Sequence, residues 1–196
     1  MSPRVYRKNR RAEHERETHD RILRAAADLH ARHGATGTSF AMIARRAGVS
    51  PQTVYNHFPS LGELVKGCTG HVQQGAPVVD ESVLSDEDDS ARRLSALTRA
   101  VYRQLHYLAP WLRLGHTEVE RVPELAEMFE QQQKALGGLI RQAVVAPREP
   151  TDSFVDAALI LLSYPAYVQF TASREIEEAA DLAASCLVSL LEPLTH

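Results

Sequence analysis

The sequence predicts an all-α protein with three helices in an N-terminal domain and about six in a second domain. Apolar residues recur at intervals of three and four along most of the chain, which is the spacing of one face of an α-helix. No stretch shows the alternation of a half-buried strand, and no internal repeat is present. With 196 residues, of which 44% are hydrophobic, the chain is long enough to bury a substantial core.

The net charge of −3 conceals an uneven distribution of charged residues. Residues 1–66 hold 12 Lys and Arg against 6 Asp and Glu, whereas residues 67–196 hold 10 against 19. A basic domain joined to an acidic one predicts that only the first domain meets a polyanion such as DNA.

The cysteines and the N-terminus both favour a cytoplasmic protein. Cys68 and Cys186 are far apart in helical contexts, so we expect buried, reduced thiols rather than a disulfide. The start MSPRVYRKNRRAEHE lacks the apolar segment of a signal peptide. The longest apolar run, at about residues 157–168, is shorter than the ~20 residues of a membrane span, so no membrane segment is predicted.

Residues 1–12 form a basic stretch that we predict to be a disordered arm. Its cations are Arg4, Arg7, Lys8, Arg10 and Arg11. Such an arm can lie along DNA phosphates or reach into a minor groove, or it can be a solubilising tail. The sequence leaves both interpretations open.

The first helix is predicted over residues 13–33. Apolar or packing residues recur from Ile22 at spacings of four, three and four, and Gly34 marks the end of the helix. His30 and His33 share a face and could contribute to a metal site, but two imidazoles are too few ligands. Solvated or packing histidines are therefore favoured.

The stretch SFAMIARRAGVSPQTVYNHF, residues 39–58, predicts two short helices joined by a tight turn. Ser39 and Ser50 are each suited to cap a helix N-terminus. Gly48 can take the positive φ of a helix end, and Pro51 suits the first position of the next helix. That next helix carries small hydrogen-bonding side chains, which match the donors and acceptors of the DNA major groove. We therefore interpret the stretch as a helix-turn-helix.

The rest of the chain is predicted to form further helices. A capping box at Ser60 and Glu63 predicts the start of a fourth helix. Residues 73–90 combine Gly, Pro and a block of acidic residues, which predicts a mobile connection. Five more helices are predicted at about residues 91–108, 111–120, 123–147, 151–172 and 174–191. Pro110 is expected to separate the first two of these, and Pro165 to kink the fourth.

Three segments carry a close resemblance to a known family: ILRAAADLHARHG in the first helix, TSFAMIARRAGVSPQTVYNHF, and PSLGELV at the head of the fourth helix. In these segments the chain resembles the TetR-type (TetR/AcrR-like) bacterial transcriptional regulators. The resemblance implies a three-helix helix-turn-helix DNA-binding domain over residues 13–59. It also implies an effector-binding and dimerisation domain over residues 60–196, where the match rests only on the number and placement of helices.

Carried over position by position, the resemblance implies two kinds of DNA contact. The candidates for base contacts are Gln52, Thr53 and Asn56, those for phosphate contacts are Ser39, Tyr55 and His57, and Arg45 and Arg46 are expected near the DNA backbone. The sequence also allows Tyr55 to serve mainly in packing the third helix against the first. Two residues depart from the family, which usually has a lysine in place of Leu61 and often an aromatic residue in place of His30. The first departure removes one expected phosphate contact.

The resemblance further implies a homodimer on a near-palindromic, double-stranded DNA operator. One recognition helix in the major groove contacts only a few base pairs, so two copies of the protein are needed for useful specificity. The family dimer is formed by the last two long helices of each subunit. The predicted helices at residues 151–172 and 174–191 have the small and apolar residues for that role, although the same residues also suit an internal core.

A small-molecule effector is the other implied partner, bound in the second domain and acting through the fourth helix. The candidate lining residues are Tyr102, His106, Trp111, His116, Phe129, Tyr164, Tyr167 and Phe170. Aromatic side chains with a few polar groups are typical of small-molecule pockets, and each alone is also compatible with ordinary core. No cluster of cations accompanies them, so we expect a neutral or weakly basic effector.

The sequence therefore predicts a ligand-responsive transcriptional regulator, most simply a repressor. The alternative is a ligand-independent architectural DNA-binding protein, against which the acidic second domain and its aromatic residues argue. Metalloprotease, serine-hydrolase and phosphate-loop motifs are missing from the sequence. We accordingly predict no catalytic residues, no metal and no cofactor.

Overall fold

The computed structural model describes residues 3–85, 87–145 and 149–191, apart from the side chains of residues 3–9 and 11. Within these residues the chain is helical and has no β-strand, which confirms the all-α prediction. The described helices are α1 Pro3–His33, α2 Phe40–Ala47, α3 Pro51–His57, α4 Leu61–Gln73, α5 Ser90–Glu118, α6 Pro123–Ala143, α7 Asp152–Leu161, α8 Tyr164–Thr171 and α9 Ile176–Leu191. A 3₁₀ turn at Glu81–Leu84 lies in the connection between α4 and α5.

The chain divides into two compact units. The first comprises Met1–Gly75 and Pro110–Glu127, and the second comprises Ala76–Ala109 and Met128–His196. The predicted boundary after residue 59 differs from this division, because α4 and the junction between α5 and α6 belong with the helix-turn-helix. The physical reason is an apolar cluster in which Val65 of α4 packs with Ala35 and Val122.

The first unit is built on a small apolar core shared by its helices. The residues Ile22, Ala26, Ile43, Val54 and Leu64 are fully buried. Burying a side chain such as Ile43 or Val54 stabilises a fold by about 1.5–3 kcal/mol. Since α2 and α3 each place only a few residues in this core, most of their remaining side chains are left on the surface.

The structure differs from the prediction at the N-terminus, where α1 begins at Pro3. Residues 3–12 are therefore the first turns of a helix and not a disordered arm. Pro3 suits a first helical position, and the Arg, Lys and Glu residues that follow are good helix formers. A helix that is polar on all sides has no apolar periodicity to reveal it. The side chains of Arg4, Arg7, Lys8 and Arg11 lie outside the described residues, so their contact with DNA stays a prediction.

The two prolines expected to interrupt helices have different effects. Pro110 lies inside the continuous helix α5 and does not end it. Leu108 and Leu112 on either side are buried, and their packing maintains the helix despite the lost hydrogen bond. Pro165 lies in the first turn of α8, just after a bend of 52° between α7 and α8. The predicted kink is thus present, but the break occurs at residues 162 and 163.

None of the described helices is by itself long and apolar enough to cross a membrane. α7 and α8 reach the required length and hydropathy only as a pair, which is bent by 52° at its junction. Phe154, Val155 and Ala158 of α7 are buried within the protein. The apolar composition of α7 therefore serves the core of the second unit.

The two cysteines differ in their surroundings. Cys68 is buried on α4, and burial raises the pKa of its thiol to about 12. Such a thiol is unreactive and packs as a small apolar side chain. Cys186 is half-buried on α9, and both residues are free thiols.

Candidate DNA-binding surface

Helix α2 begins and ends at the residues that the sequence predicts. Ser39 is its N-cap, and the Ser39 hydroxyl accepts a hydrogen bond from the backbone N–H of Met42 at 3.2 Å. Gly48 ends the helix in the left-handed conformation, with φ of 66°. The N–H of Val49 then donates to the carbonyl of Ala44 at 3.0 Å, which satisfies a carbonyl that the helix end leaves open.

Helix α3 begins at Pro51, three residues after Gly48. Ser50 is its N-cap and accepts from the N–H of Thr53 at 3.0 Å, and Pro51 occupies the first turn. Val54 is the only fully buried residue among the described positions of α3, and Phe58 is buried just after its end. These two apolar side chains fix α3 on the core and leave the opposite face exposed.

The predicted base contacts lie on this exposed face. Gln52 and Asn56 are exposed, and the Gln52 amide donates to the Asn56 side-chain oxygen at 3.0 Å. Thr53 is half-buried, and its hydroxyl is 2.8 Å from that of Ser50. Together the three side chains present amide and hydroxyl donors and acceptors with no competing charge, which is the chemistry that reads base edges. Their contact with bases stays a prediction.

The predicted phosphate contacts surround the same face. Tyr55 is 51% exposed, and its ring packs against Phe40 at the start of α2, with ring centroids 4.5 Å apart. Tyr55 therefore lies near Ser39, and it packs on the second helix where the sequence suggested the first. His57 is half-buried beside His19 of α1, at a centroid distance of 5.9 Å.

The two arginines of α2 have different environments. Arg45 is exposed. Arg46 is also exposed but forms an ion pair with Asp28 of α1 at 2.7 Å, and Asp28 in turn pairs with Arg32 at 2.8 Å. The Asp28 Oδ2 atom that contacts Arg46 is buried, so this pair holds Arg46 against α1. The contact of Arg45 and Arg46 with the DNA backbone stays a prediction.

Leu61 at the head of α4 packs inward, where the family has a cation. It lies against the cluster of Ala35, Val65 and Val122, together with Leu125. An apolar residue at this position is therefore explained by packing within the unit. The side-chain carboxylate of Glu124 also covers Gly62, so closely that a Cβ at that glycine would overlap it.

A buried carboxylate that is not among the predicted site residues binds the turn between α1 and α2. Glu118, the last residue of α5, is 6% exposed and accepts hydrogen bonds from the N–H groups of Ala35 and Thr36 at 2.8 and 2.9 Å. The Thr36 hydroxyl donates to the same carboxylate. Burial acts to raise the pKa of Glu118, but the hydrogen bonds from Thr36 and Ala35 outweigh it, so the pKa is lowered and the side chain stays ionised.

His30 is buried on α1 near Glu118. Burial lowers the pKa of its imidazole to about 4, although the charge of Glu118 acts in the opposite direction. The Nε2 atom of His30 is buried without a hydrogen-bond partner. Of the interpretations offered for His30, the environment therefore supports a histidine that packs in the core. Within the part of the chain that the structure describes, no group of three His, Cys, Asp or Glu side chains is placed to hold a metal.

The predicted effector residues fall into two groups. Five of them, all in the second unit, form one aromatic cluster: Tyr102, His106, Tyr164, Tyr167 and Phe170. Tyr102 is fully buried and donates to the carbonyl of Leu161 at 3.2 Å, and His106 Nδ1 is 2.8 Å from the hydroxyl of Tyr167. Burial raises the pKa of Tyr102 to about 12, so its hydroxyl stays protonated.

The other three predicted effector residues are Trp111, His116 and Phe129. Trp111 and His116 belong to the first unit, where the Trp111 indole donates to the carbonyl of Ala27 at 2.8 Å. Burial lowers the pKa of the half-buried His116. Phe129 is half-buried on α6. Sequence reasoning could not assign Trp111 and His116 to the first unit, because aromatic composition carries no information on which unit a residue joins.

An open apolar groove lies on the second unit, along α7 and α9. It has a volume of about 570 Å³ and is lined by Ala157, Ile160, Leu161, Ser185, Cys186, Ser189 and Leu190. Ile160 is 69% exposed, and Leu190 is also exposed. An exposed apolar patch rimmed by small residues is typical of a protein interface.

These features define a helix-turn-helix DNA-binding protein with a second, helical unit. Residues 22–68 match the model of the bacterial regulatory proteins of the tetR family. The chain is 30% identical over 190 residues, 92% of each chain, to an HTH-type transcriptional regulator of uncharacterised function from Mycobacterium tuberculosis. The chain therefore belongs to the TetR family, and it is a transcriptional regulator.

Solved structures show the same fold at lower identity. A protein assigned as a transcriptional regulator of Streptomyces coelicolor A3(2) matches with a TM-score of 0.64 and 19% identity, over 89% of this chain and 98% of that one. The multidrug binding protein EbrR, complexed with imidazole, matches with a TM-score of 0.57 and 20% identity, over 86% of this chain and 88% of that one. These solved structures thus share the helical architecture of this chain across the matched length.

Proposed function

We propose that this TetR-family regulator is a repressor that binds a near-palindromic operator as a homodimer and is released by a small molecule. The observation that carries the proposal is the exposed polar face of α3. Gln52, Thr53 and Asn56 stand on a helix that Val54 fixes to the core, which is the arrangement of a recognition helix. Repression follows most simply because an operator-bound dimer blocks access of RNA polymerase to a promoter.

The homodimer is supported by the groove along α7 and α9. Ile160 and Leu190 expose apolar surface that nothing in the described part of the chain covers fully. Ser185 and Ser189 are small enough to let a second helix approach closely. A second copy of the same surface, related by a two-fold axis, would cover these side chains and would place two reading heads on one operator.

The response to an effector is supported by the aromatic cluster and by the similarity to EbrR. Tyr102, His106 and Tyr167 combine apolar rings with three polar groups, which suits a neutral or weakly basic compound. In the present conformation these rings pack on one another, so a ligand has to separate them. Release from DNA requires only that the effector prefer a conformation that binds the operator less well.

Selection of bound fragments from random duplex DNA tests the DNA-binding part of the proposal. We expect enrichment of one near-palindrome whose half-sites are about one helical turn apart. Recovery of sequences without a shared motif would instead favour an architectural DNA-binding protein.

A screen of compounds for a change in melting temperature tests the effector part. Each compound that raises the melting temperature is then added to the operator complex. We expect at least one neutral or weakly basic compound to weaken operator binding, and the sensing proposal fails if stabilising compounds leave operator affinity unchanged.

A further inference from the structure

The turn between α1 and α2 is held by a residue that is more than 80 positions away in the sequence. Glu118 binds the backbone of Ala35 and Thr36 through both carboxylate oxygens. The N–H of Ala35 is buried, so without Glu118 it would lack a partner in a place that water cannot easily reach. The carboxylate therefore acts as an anion bound in a pocket of backbone donors.

The backbone of the turn is shaped to receive that anion. Gly34 has φ of 75°, and a Cβ built on it would lie 2.5 Å from Oε1 of Glu118. A left-handed residue followed by consecutive inward-pointing N–H groups forms an anion-binding concavity. His30 lies near Glu118 with its pKa lowered to about 4 by burial, so at neutral pH it adds no positive charge. The N–H groups and the Thr36 hydroxyl are thus the donors that satisfy Glu118.

This turn leads directly into the helix-turn-helix formed by α2 and α3. The Thr38 hydroxyl donates to the carbonyl of Gly34 at 2.7 Å, which closes the turn on itself. Ser39 comes next and caps α2, beside Tyr55 and Phe40. The position of the turn therefore sets the position of the two predicted phosphate contacts at this end of the surface.

A second set of contacts ties α4 to the same segment. Val122 packs with Ala35 and Val65, and Leu61 lies against this cluster. The Glu124 carboxylate lies on Gly62 near the start of α4, and Lys66 forms an ion pair with Glu127 at 3.2 Å. Residues 118–127 therefore contact both the turn before α2 and the first turns of α4.

We propose that Glu118 is a positioning residue for operator binding: by holding the turn at residues 34–38, it places Ser39 and Tyr55 where DNA phosphates contact them. This inference rests on the proposed DNA-binding function and adds a residue that touches no DNA itself. It also identifies the end of α5 as a part of the first unit that is fixed to the turn before α2 by hydrogen bonds.

Operator affinity, measured for full-length variants alone and combined with Tyr55→Phe, tests this role. Glu118→Ala removes both acceptors, and Glu118→Gln keeps one carbonyl oxygen but turns an NH₂ group toward a donor. We expect Glu118→Ala to lose at least tenfold in operator affinity and Glu118→Gln to lose less. The matched control is Glu120→Gln, which removes an exposed carboxylate two residues further on and is expected to bind as the wild type does.

A double-mutant comparison separates positioning from a loss of folded protein. If Glu118 acts by placing Tyr55, Glu118→Ala loses less affinity in a Tyr55→Phe protein than in the wild type, because that phosphate contact is already absent. A variant that is only less stable loses affinity by the same factor with and without the Tyr55 hydroxyl. Leu97→Ala, which removes a fully buried side chain of the second unit, supplies that comparison at a temperature at which all variants are folded.

Three outcomes decide the matter. Weaker binding in Glu118→Ala, with a smaller loss in the Tyr55→Phe background, and wild-type affinity in Glu120→Gln and Leu97→Ala support the proposal. Wild-type affinity in folded Glu118→Ala, or an equal loss with and without Tyr55→Phe, overturns it and leaves the DNA-binding function standing. If the wild-type protein itself selects no operator, the proposed function and this inference fall together.

Discussion

At the scale of single residues, the first unit buries a carboxylate and an imidazole that have opposite roles. Glu118 is ionised and fully supplied with donors, whereas His30 is neutral and its Nε2 atom has no partner. Glu118 therefore fixes the turn before α2. The free-energy cost of burying His30 increases as the pH falls, because the unfolded chain then takes up a proton that the folded protein does not.

Acid should destabilise the protein through His30. Its pKa is about 6.5 in the unfolded chain and about 4 in the folded one, so below pH 6.5 only the unfolded state takes up the proton. The contribution to stability is full above pH 6.5 and is lost, by about 3 kcal/mol, as the pH falls toward 4. Denaturant unfolding at several pH values should show a smaller pH dependence for His30→Leu.

The exposed residue His33 on the same helix supplies the control for that measurement. His33→Leu should keep the pH dependence of the wild type. Equal pH dependence in His30→Leu and the wild type would mean that the imidazole of His30 takes up its proton equally well in the folded and unfolded states.

The exposed polar face of α3 offers a second test at the scale of single residues. Thr53→Ala removes a predicted base contact and should reduce the preference for the operator over a scrambled duplex by about 1–3 kcal/mol. Tyr55→Phe removes a predicted phosphate contact, so it should weaken binding to both duplexes about equally. Titration of both variants on both duplexes distinguishes the roles. The assignment is wrong if the two variants lose affinity in the same pattern.

At the scale of helices, features set by neighbouring residues are predictable from the sequence and features set by distant residues are not. Ser39, Gly48 and Ser50 lie at helix ends as predicted, because capping depends on a few adjacent residues. The continuity of α5 through Pro110 depends instead on packing on either side of it. The contact of Glu118 with Ala35 joins residues 83 positions apart, so no local pattern could reveal it.

The contrast between two glycines tests the structure of the turn in the reading head. Gly48 has φ of 66° and nothing within 4 Å of a built Cβ, so Gly48→Ala costs only backbone strain, about 1 kcal/mol. Gly70 lies in α4, also in open space and with ordinary helical φ. Gly70→Ala should therefore stabilise the protein by about 0.5–1 kcal/mol. Thermal unfolding of the two variants should show shifts of opposite sign.

At the scale of the whole molecule, the family and the fold are established, and the second unit carries the proposed assembly. The sequence predicted an acidic helical domain with apolar final helices, but it could not say which of their residues remain exposed. The structure leaves Ile160 and Leu190 on the surface along one groove. That distinction depends on how α7 packs against α9, which composition does not determine.

Placing a charge in the groove should disrupt the proposed dimer. Ile160→Asp puts a carboxylate where a second copy would cover it, and desolvating that charge without a partner is costly. Sedimentation should show a shift from dimer to monomer at micromolar concentration. Val78→Asp is the matched control, because Val78 is 68% exposed outside the groove, and it should remain dimeric. Dimers in both variants would place the interface elsewhere.

The stoichiometry of the operator complex tests the central claim most directly. The mass of the complex is measured by native mass spectrometry on the selected duplex and on a duplex in which one half-site is scrambled. We predict two protomers on the intact site, and a large loss of affinity when one half-site is scrambled, because each α3 reads only a few base pairs. A single protomer bound with full affinity to one half-site would contradict the proposed mode of recognition.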